Sequence, residues 1–175
     1  MANIISVDGK APAIHQNSFL AGSADIAGDV RIAEFVSIWN HATLRGDVNY
    51  ISIGKYTNIQ DNSVIHVERP APDNPERGAV IIGEHVTVGH GVILHACTLE
   101  DACLIGMGAI VLDGAVIGKG SIVGAGSVVT GRTVIPPYSL VLGSPGKVVK
   151  TLPEQSLAER IAHAESYWEL TKKYK

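Results

Sequence analysis

Aliphatic residues recur at every sixth position through the centre of the chain: Ile105, Val111, Ile117, Val123, Val129, Ile135 and Val141. Four residues after each of the first five stands a small side chain, Ala109, Ala115, Ser121, Ser127 and Thr133. Glycine often follows the aliphatic position directly, as in Ile105-Gly106 and Val123-Gly124. Neither the two-residue alternation of a half-buried strand nor the 3.6-residue period of a helix produces this pattern. A unit of six is a short strand plus a corner, too small to bury its own aliphatic side chain, so it must stack on copies of itself. Tracing backwards, Leu99 with Cys103 and Ile93 with Cys97 keep the phase, and Ile82 and Val88 fit if the unit starting at Val88 has lost one residue. An earlier run, Ile26, Ile32, Ile38 and Leu44, resumes at Ile53, Ile59 and Ile65 after a three-residue insertion. The repeat thus covers about Asp25 to Gly143.

Three units per coil make a triangular prism with aliphatic residues inside and small ones at the corners. Successive coils rise by about 4.8 Å, the spacing of neighbouring strands. The expected fold is an all-β parallel β-helix over residues 1–150, followed by a C-terminal α-helix over residues 151–175. In that last segment Thr151 reads as an N-cap, Pro153 as a first-turn residue and Glu154 as the N3 partner. Leu157, Ile161, Ala164 and Trp168 then share one face, which would lie on the prism or on a neighbouring chain. Residues Val67 to Ala79, with Pro70, Pro72, Asp73, Asn74 and Pro75, cannot form a rung and must loop out.

Composition sharpens this picture mainly by exclusion. Hydrophobic residues make up 46% of the 175 positions but aromatic ones only 5%, and there are 19 glycines, which fits a Val/Ile/Leu/Ala core punctuated by turns. A net charge of −3 with no basic run leaves no footprint for a nucleic acid. No apolar stretch reaches the roughly 20 residues a membrane helix needs, and no secretory signal opens the chain, so the expected location is the cytoplasm. Cys97 and Cys103 fall in the small inward slot of the repeat and read as buried packing thiols.

Chemistry enters with seven histidines. His163 on the C-terminal helix and His85 at a corner read as solvated, and His15 precedes the repeat. Counting Ile65 as face one puts Ile82 on face two, Val88 on face three and Ile93 on face one again. His66 and His95 then stack on one face in successive coils, while His90 lies around a corner. A second copy of the chain could bring its own His90 to the pair, which makes a symmetric trimer with sites between subunits the economical arrangement. Three imidazoles with an open fourth position are the ligand set of a catalytic zinc site. The same residues read alternatively as corner or interface hydrogen-bonders.

Several motifs together resemble the γ-class carbonic anhydrase family and its bacterial relatives within the hexapeptide-repeat superfamily. They are Arg45-Gly46-Asp47, Asn58-Ile59-Gln60-Asp61 leading to His66, Val88-Gly89-His90 with His95 five residues on, and Leu142-Gly143-Ser144-Pro145. The resemblance implies a left-handed coil, a homotrimer, and a metal held by His66 and His95 of one subunit and His90 of the next. Zinc is the expected ion, with iron or cobalt compatible with the same imidazoles. It further implies hydration of carbon dioxide to bicarbonate, with Gln60 hydrogen-bonding the reacting oxygens and Asn58 orienting it. Arg45, Asp47 and Asp61 would form a charged cluster across the subunit boundary, either as trimer cement or in catalysis. The family's archetype has a glutamate directly after the position of Asp47, where this chain has Val48. Glu68 is the nearest acidic candidate for moving protons, and Tyr138 a further candidate near the ligand. Two other classes fit the repeat alone: an acyl-CoA-dependent acyltransferase or thioesterase with a histidine base, and a metal-stabilised trimer without turnover.

Overall fold

The computed structural model describes residues 1–72, 74 and 77–174; Asp73 and Pro75 of the looped-out segment lie outside them. Its strands align in three columns, the faces of a prism. Face one runs Asn3–Ile5, the opening halves of two long strands, Asp25–Ile32 and Thr43–Ile53, then Val64–His66, Ile93–His95, Ile110–Val111 and Val128–Val129. Face two takes the closing halves of those long strands together with Ala13–Ile14, Val80–Ile82, Thr98–Leu99, Val116–Ile117 and Val134–Ile135. Face three begins at Phe19–Leu20 and ends at Ser139–Leu142. Every pairing along these columns is parallel, as a β-helix requires. The first coil starts at Asn3, well before the repeat becomes visible in the sequence, because Asn3–Ile5 pairs with Asp25–Ala27 despite its irregular spacing.

Aliphatic residues from every coil fill the interior: Ile26, Leu44, Ile59, Ile65, Ile105 and Ile117 are wholly buried. Cys97 and Cys103 are buried among them, and burial pushes both thiols up to about 12. The long strands turn the corner without breaking because Gly28 adopts φ 80°, where a Cβ would collide with the carbonyl oxygen of Gly46.

Three expectations need correction. First, Leu94, not Ile93, points inward: Leu94 is fully buried and pairs with Ile65, whereas Ile93 is 41% exposed and pairs with the similarly exposed Val64. The shortened unit therefore runs from Leu94 to Leu99, through a corner at Ala96 with φ 47°. Second, Thr151 does not cap a helix. It ends a strand, Lys147–Thr151, that runs antiparallel to Ser139–Leu142 and covers the open edge of face three. Helix α1 begins later, at Leu157–Thr171, after one turn at Glu154–Ser156, and no side chain caps it. Third, His85 is not a solvated corner residue. Its ring stacks on Tyr56 at 5.2 Å and 6°, and its Nδ1 lies 3.6 Å from the Glu165 carboxylate of α1.

Helix α1 lies on face three of its own prism. The seam is aromatic: Trp39 meets Tyr167 and Tyr174 edge-on, and Phe35 meets Trp168. Such edge-to-face pairs add about 0.5–1.5 kcal/mol each beyond burial. This cover buries the outward side chains Asn58 and Gln60. No described helix is long and apolar enough to cross a membrane.

Candidate metal centre

Parallel stacking on face one puts Arg45, His66 and His95 side by side, since Arg45 pairs with His66 and His66 with His95. Strict register makes neighbours of residues 29 apart, and their rings approach so that His66 Nδ1 lies 3.1 Å from His95 Nε2. The other nitrogen of each ring meets a carboxylate: His66 Nε2 lies 3.0 Å from Asp47 Oδ1, and His95 Nδ1 lies 2.8 Å from Asp113 Oδ1. Arg45 pairs with the second oxygen of Asp47. Partial burial raises the Asp47 carboxyl, but hydrogen bonds with His66 and Arg45 outweigh it and hold the group below the usual carboxylate range. Asp47 is thus ionised at neutral pH and holds His66 through an N–H at Nε2.

His90 stands where face three turns into face one, with its side chain 49% exposed. Its Nδ1 lies 2.9 Å from Asp61 Oδ2. Asp61 is itself braced, accepting a hydrogen bond from Asn40 Nδ2 at 3.2 Å, and Ser23 Oγ donates to Asn40 Oδ1 at 3.2 Å. Beside this chain, Gln60 Nε2 donates to Asn58 Oδ1 at 3.1 Å, and Asn58 Nδ2 donates to Thr87 Oγ1 at 3.0 Å. Tyr167 of α1 closes the group. Burial first, and then the Asp61 charge, raise its phenol, against a hydrogen bond shared with Gln60.

The expected residues therefore fall into two clusters in one chain: Arg45, Asp47, His66 and His95 on face one, and Asn58, Gln60, Asp61 and His90 around the corner. Glu68 joins the first cluster, its carboxylate close to His95 and Asp113. Tyr138 joins neither. It sits in a left-handed corner between faces two and three, its ring against Gly120 and near Leu157. Two residues missed in the sequence belong here, Asp113 and Tyr167. Asp113 was findable in principle, because pairing Leu94 with Val111 carries Asp113 to the end of the His95 strand. Tyr167 depends on where the helix lies, which the repeat does not encode.

The donor set fits a metal on chemical grounds. Each histidine presents one ring nitrogen to a carboxylate (Asp47, Asp113, Asp61), the arrangement that fixes tautomer and ring orientation in metal-binding imidazoles. With those N–H groups given to the aspartates, the facing nitrogens of His66 and His95 both carry lone pairs. At 3.1 Å two lone pairs repel, and a cation or an added proton between them removes the conflict. The separation suits two ligands of a tetrahedral zinc, which at 2.0–2.1 Å each lie about 3.3 Å apart. Glu68, His95 and Asp113 also offer donor atoms within 4.8 Å of one another, but Asp113 already engages His95 Nδ1 and both carboxylates are exposed.

A coiled stack of six-residue units with this outward histidine set defines a hexapeptide-repeat protein, and residues 96–131 match the family described as "Bacterial transferase hexapeptide (six repeats)". Among curated proteins, the chain is 47% identical over 158 residues to a "Probable carbonic anhydrase" of Methanocaldococcus jannaschii, covering 90% of this chain and 95% of that one. It is 40% identical over 164 residues to "Gamma carbonic anhydrase 2, mitochondrial" of Arabidopsis thaliana, covering 94% of this chain and 59% of that one. A crystal structure of a hexapeptide transferase family protein from Anaplasma phagocytophilum superposes with a TM-score of 0.90 at 39% identity, covering 99% and 98% of the two chains. The chain belongs to the γ-class carbonic anhydrase-like family.

Proposed function

We propose that the protein is a metal-dependent lyase that hydrates carbon dioxide to bicarbonate at a centre shared between subunits of a homotrimer. His66 and His95 of one subunit and His90 of the next would hold the ion, zinc by expectation, with iron or cobalt compatible. The observation that carries this reading is that each of the three histidines has one ring nitrogen on an aspartate, and His90 Nε2 has no partner among the described residues. Val64 and Ile93, exposed and in register beside His66 and His95, support burial of face one against a second copy.

Bound there, a divalent metal supplies Lewis acidity, which in carbonic anhydrases, the standard example of the effect, brings the pKa of water from about 15.7 to about 7. Around it this chain does the positioning. Asp47 and Asp113 fix the rings of His66 and His95, and Asp61, braced by Asn40, fixes His90. Gln60, held by Asn58, presents an amide to the charge that develops on bicarbonate, while Arg45 and Asp47 form a charged clasp at the subunit boundary. With Val48 after Asp47, Glu68 is left beside His95 as an acidic side chain not committed to a histidine, and protons leave mainly to solvent buffer.

Metal analysis of gently purified protein, followed by stopped-flow carbon dioxide hydration across buffer concentrations, tests the reading. The expected result is stoichiometric metal, a rate that rises with an imidazole-type buffer, a modest change in Glu68→Ala and a larger loss in Gln60→Ala. Metal without hydration in any buffer would leave an assembly protein, and a stable metal-loaded monomer would overturn the shared centre.

A further inference from the structure

Beside the neck of the chain's excursion, where Glu68 and Arg69 meet Arg77 and Gly78, at the corner between faces one and two, lies a cavity of about 510 Å³. Its floor is made of small residues. Ala96 and Gly114 follow one another up the corner in left-handed conformation, φ 47° and 70°, and Arg132 continues the stack at φ 60°. The Arg132 stem lies 3.4 Å from where a Cβ on Gly114 would stand, so a larger residue there would crowd the space. Arg69 and Arg77 line the same cavity from the excursion. Among the described residues none of these three arginines has an ion-pair partner. The wall also carries two acids: Asp113 Oδ1 meets His95, and Glu68 Oε1 accepts the Arg69 backbone N–H at 2.8 Å.

The cavity has a fixed frame. Glu68 N–H donates to the Gly78 carbonyl at 2.8 Å, and the buried Asn49 donates through Nδ2 to the carbonyls of Glu68 and Arg77 at 3.2 and 3.1 Å. The neck of the excursion is thereby stapled to the prism.

We propose that this cavity is a binding site for a small organic carboxylate. Guanidinium groups match the planar carboxylate with paired N–H donors, and three arginines, none of them ion-paired among the described residues, line one space that also holds two carboxylates, leaving an excess of positive charge. The volume lies within the roughly 300–1,000 Å³ of small-molecule pockets, far more than a bicarbonate ion fills. Asp113 is common to this wall and to the His95 hydrogen bond, so a bound acid lies against the rim of the metal centre. The site does not rest on the proposed reaction.

Isothermal titration of the full-length protein with succinate, bicarbonate and inorganic phosphate tests it. Saturable binding of one succinate per chain is expected, weakened about tenfold or more in Arg132→Ala and in Arg77→Ala. Failure of succinate to saturate the wild-type protein overturns the site, as does succinate binding that is unchanged in both variants. Saturation by bicarbonate or phosphate in place of succinate overturns the assignment to an organic acid. The readout is binding without turnover, so a negative result leaves carbon dioxide hydration standing or falling on its own assay.

Discussion

From Leu99 to Val141 the prism repeats every six residues, whereas between Leu44 and Leu99 the period breaks at three places. The step from Leu44 to Ile53 is nine residues, the period is interrupted after the buried Val67 until Val80, and the step from Leu94 to Leu99 is five. Arg45, Asp47, Asn58, Gln60, Asp61, His66, Glu68, His90 and His95 all lie in the interrupted half. The regular half sends one side chain to the histidines, Asp113. The two regions share a core of the same inward aliphatic residues, so the interruptions cost little burial. What they change is the outward aim of the chain, since an inserted or deleted residue at a corner rotates every polar side chain beside it while the interior stays in register.

The contrast can be broken most sharply at His95. His95→Ala should lose bound metal and lower the hydration rate by about a thousandfold or more while the far-ultraviolet circular dichroism stays unchanged, and His90→Ala should behave alike. Metal content per folded chain and stopped-flow rates measure both, and retained metal in either variant would refute the ligand assignment. In the regular half the opposite pattern is expected. Ile117→Ala empties part of a sealed interior and should cost about 2–5 kcal/mol in denaturant unfolding, yet the folded fraction should bind metal as before. Asp113→Asn crosses between the regions. Loss of a carboxylate behind a ligating imidazole typically weakens metal affinity about 10–100-fold, and competition with a chelator reads that change with stability nearly constant.

The smallest effect is a pH dependence. Asp47 is held below its ordinary value of 3.8, so it contributes stability above that value and loses it as pH falls through the lowered one. Unfolding curves recorded below pH 3.8 should therefore fall away more steeply for the wild type than for Asp47→Asn. Parallel curves would remove Asp47 from the account.

Much of this architecture was legible in the residues. The inward positions admit only aliphatic or small side chains, so the period survives in the sequence, and face counting stacked His66 and His95 on one face in successive coils. Ile93 and Leu94 could not be told apart that way, because both are aliphatic and only pairing with Val64 and Ile65 decides which points in. Thr151 carried the chemistry of a helix cap, but the open edge of face three competes for the same segment and its backbone groups take the ladder instead. Asp113 could be reached only once Leu94, not Ile93, is known to face inward, whereas Tyr167 and Asn49 were hidden because each acts through the helix or across coils while the local pattern around it is that of an ordinary surface residue.

The backward strand at the end of face three has a further consequence. A column of parallel rungs is an open template, and the first coil of an identical molecule would continue it, rung on rung, into an unlimited filament. Lys147–Thr151 meets such a newcomer running in the wrong direction, with lysines at 147 and 150 along an exposed strand. The face-three column thus carries its own stop: the chain's last strand closes that column to a further parallel rung.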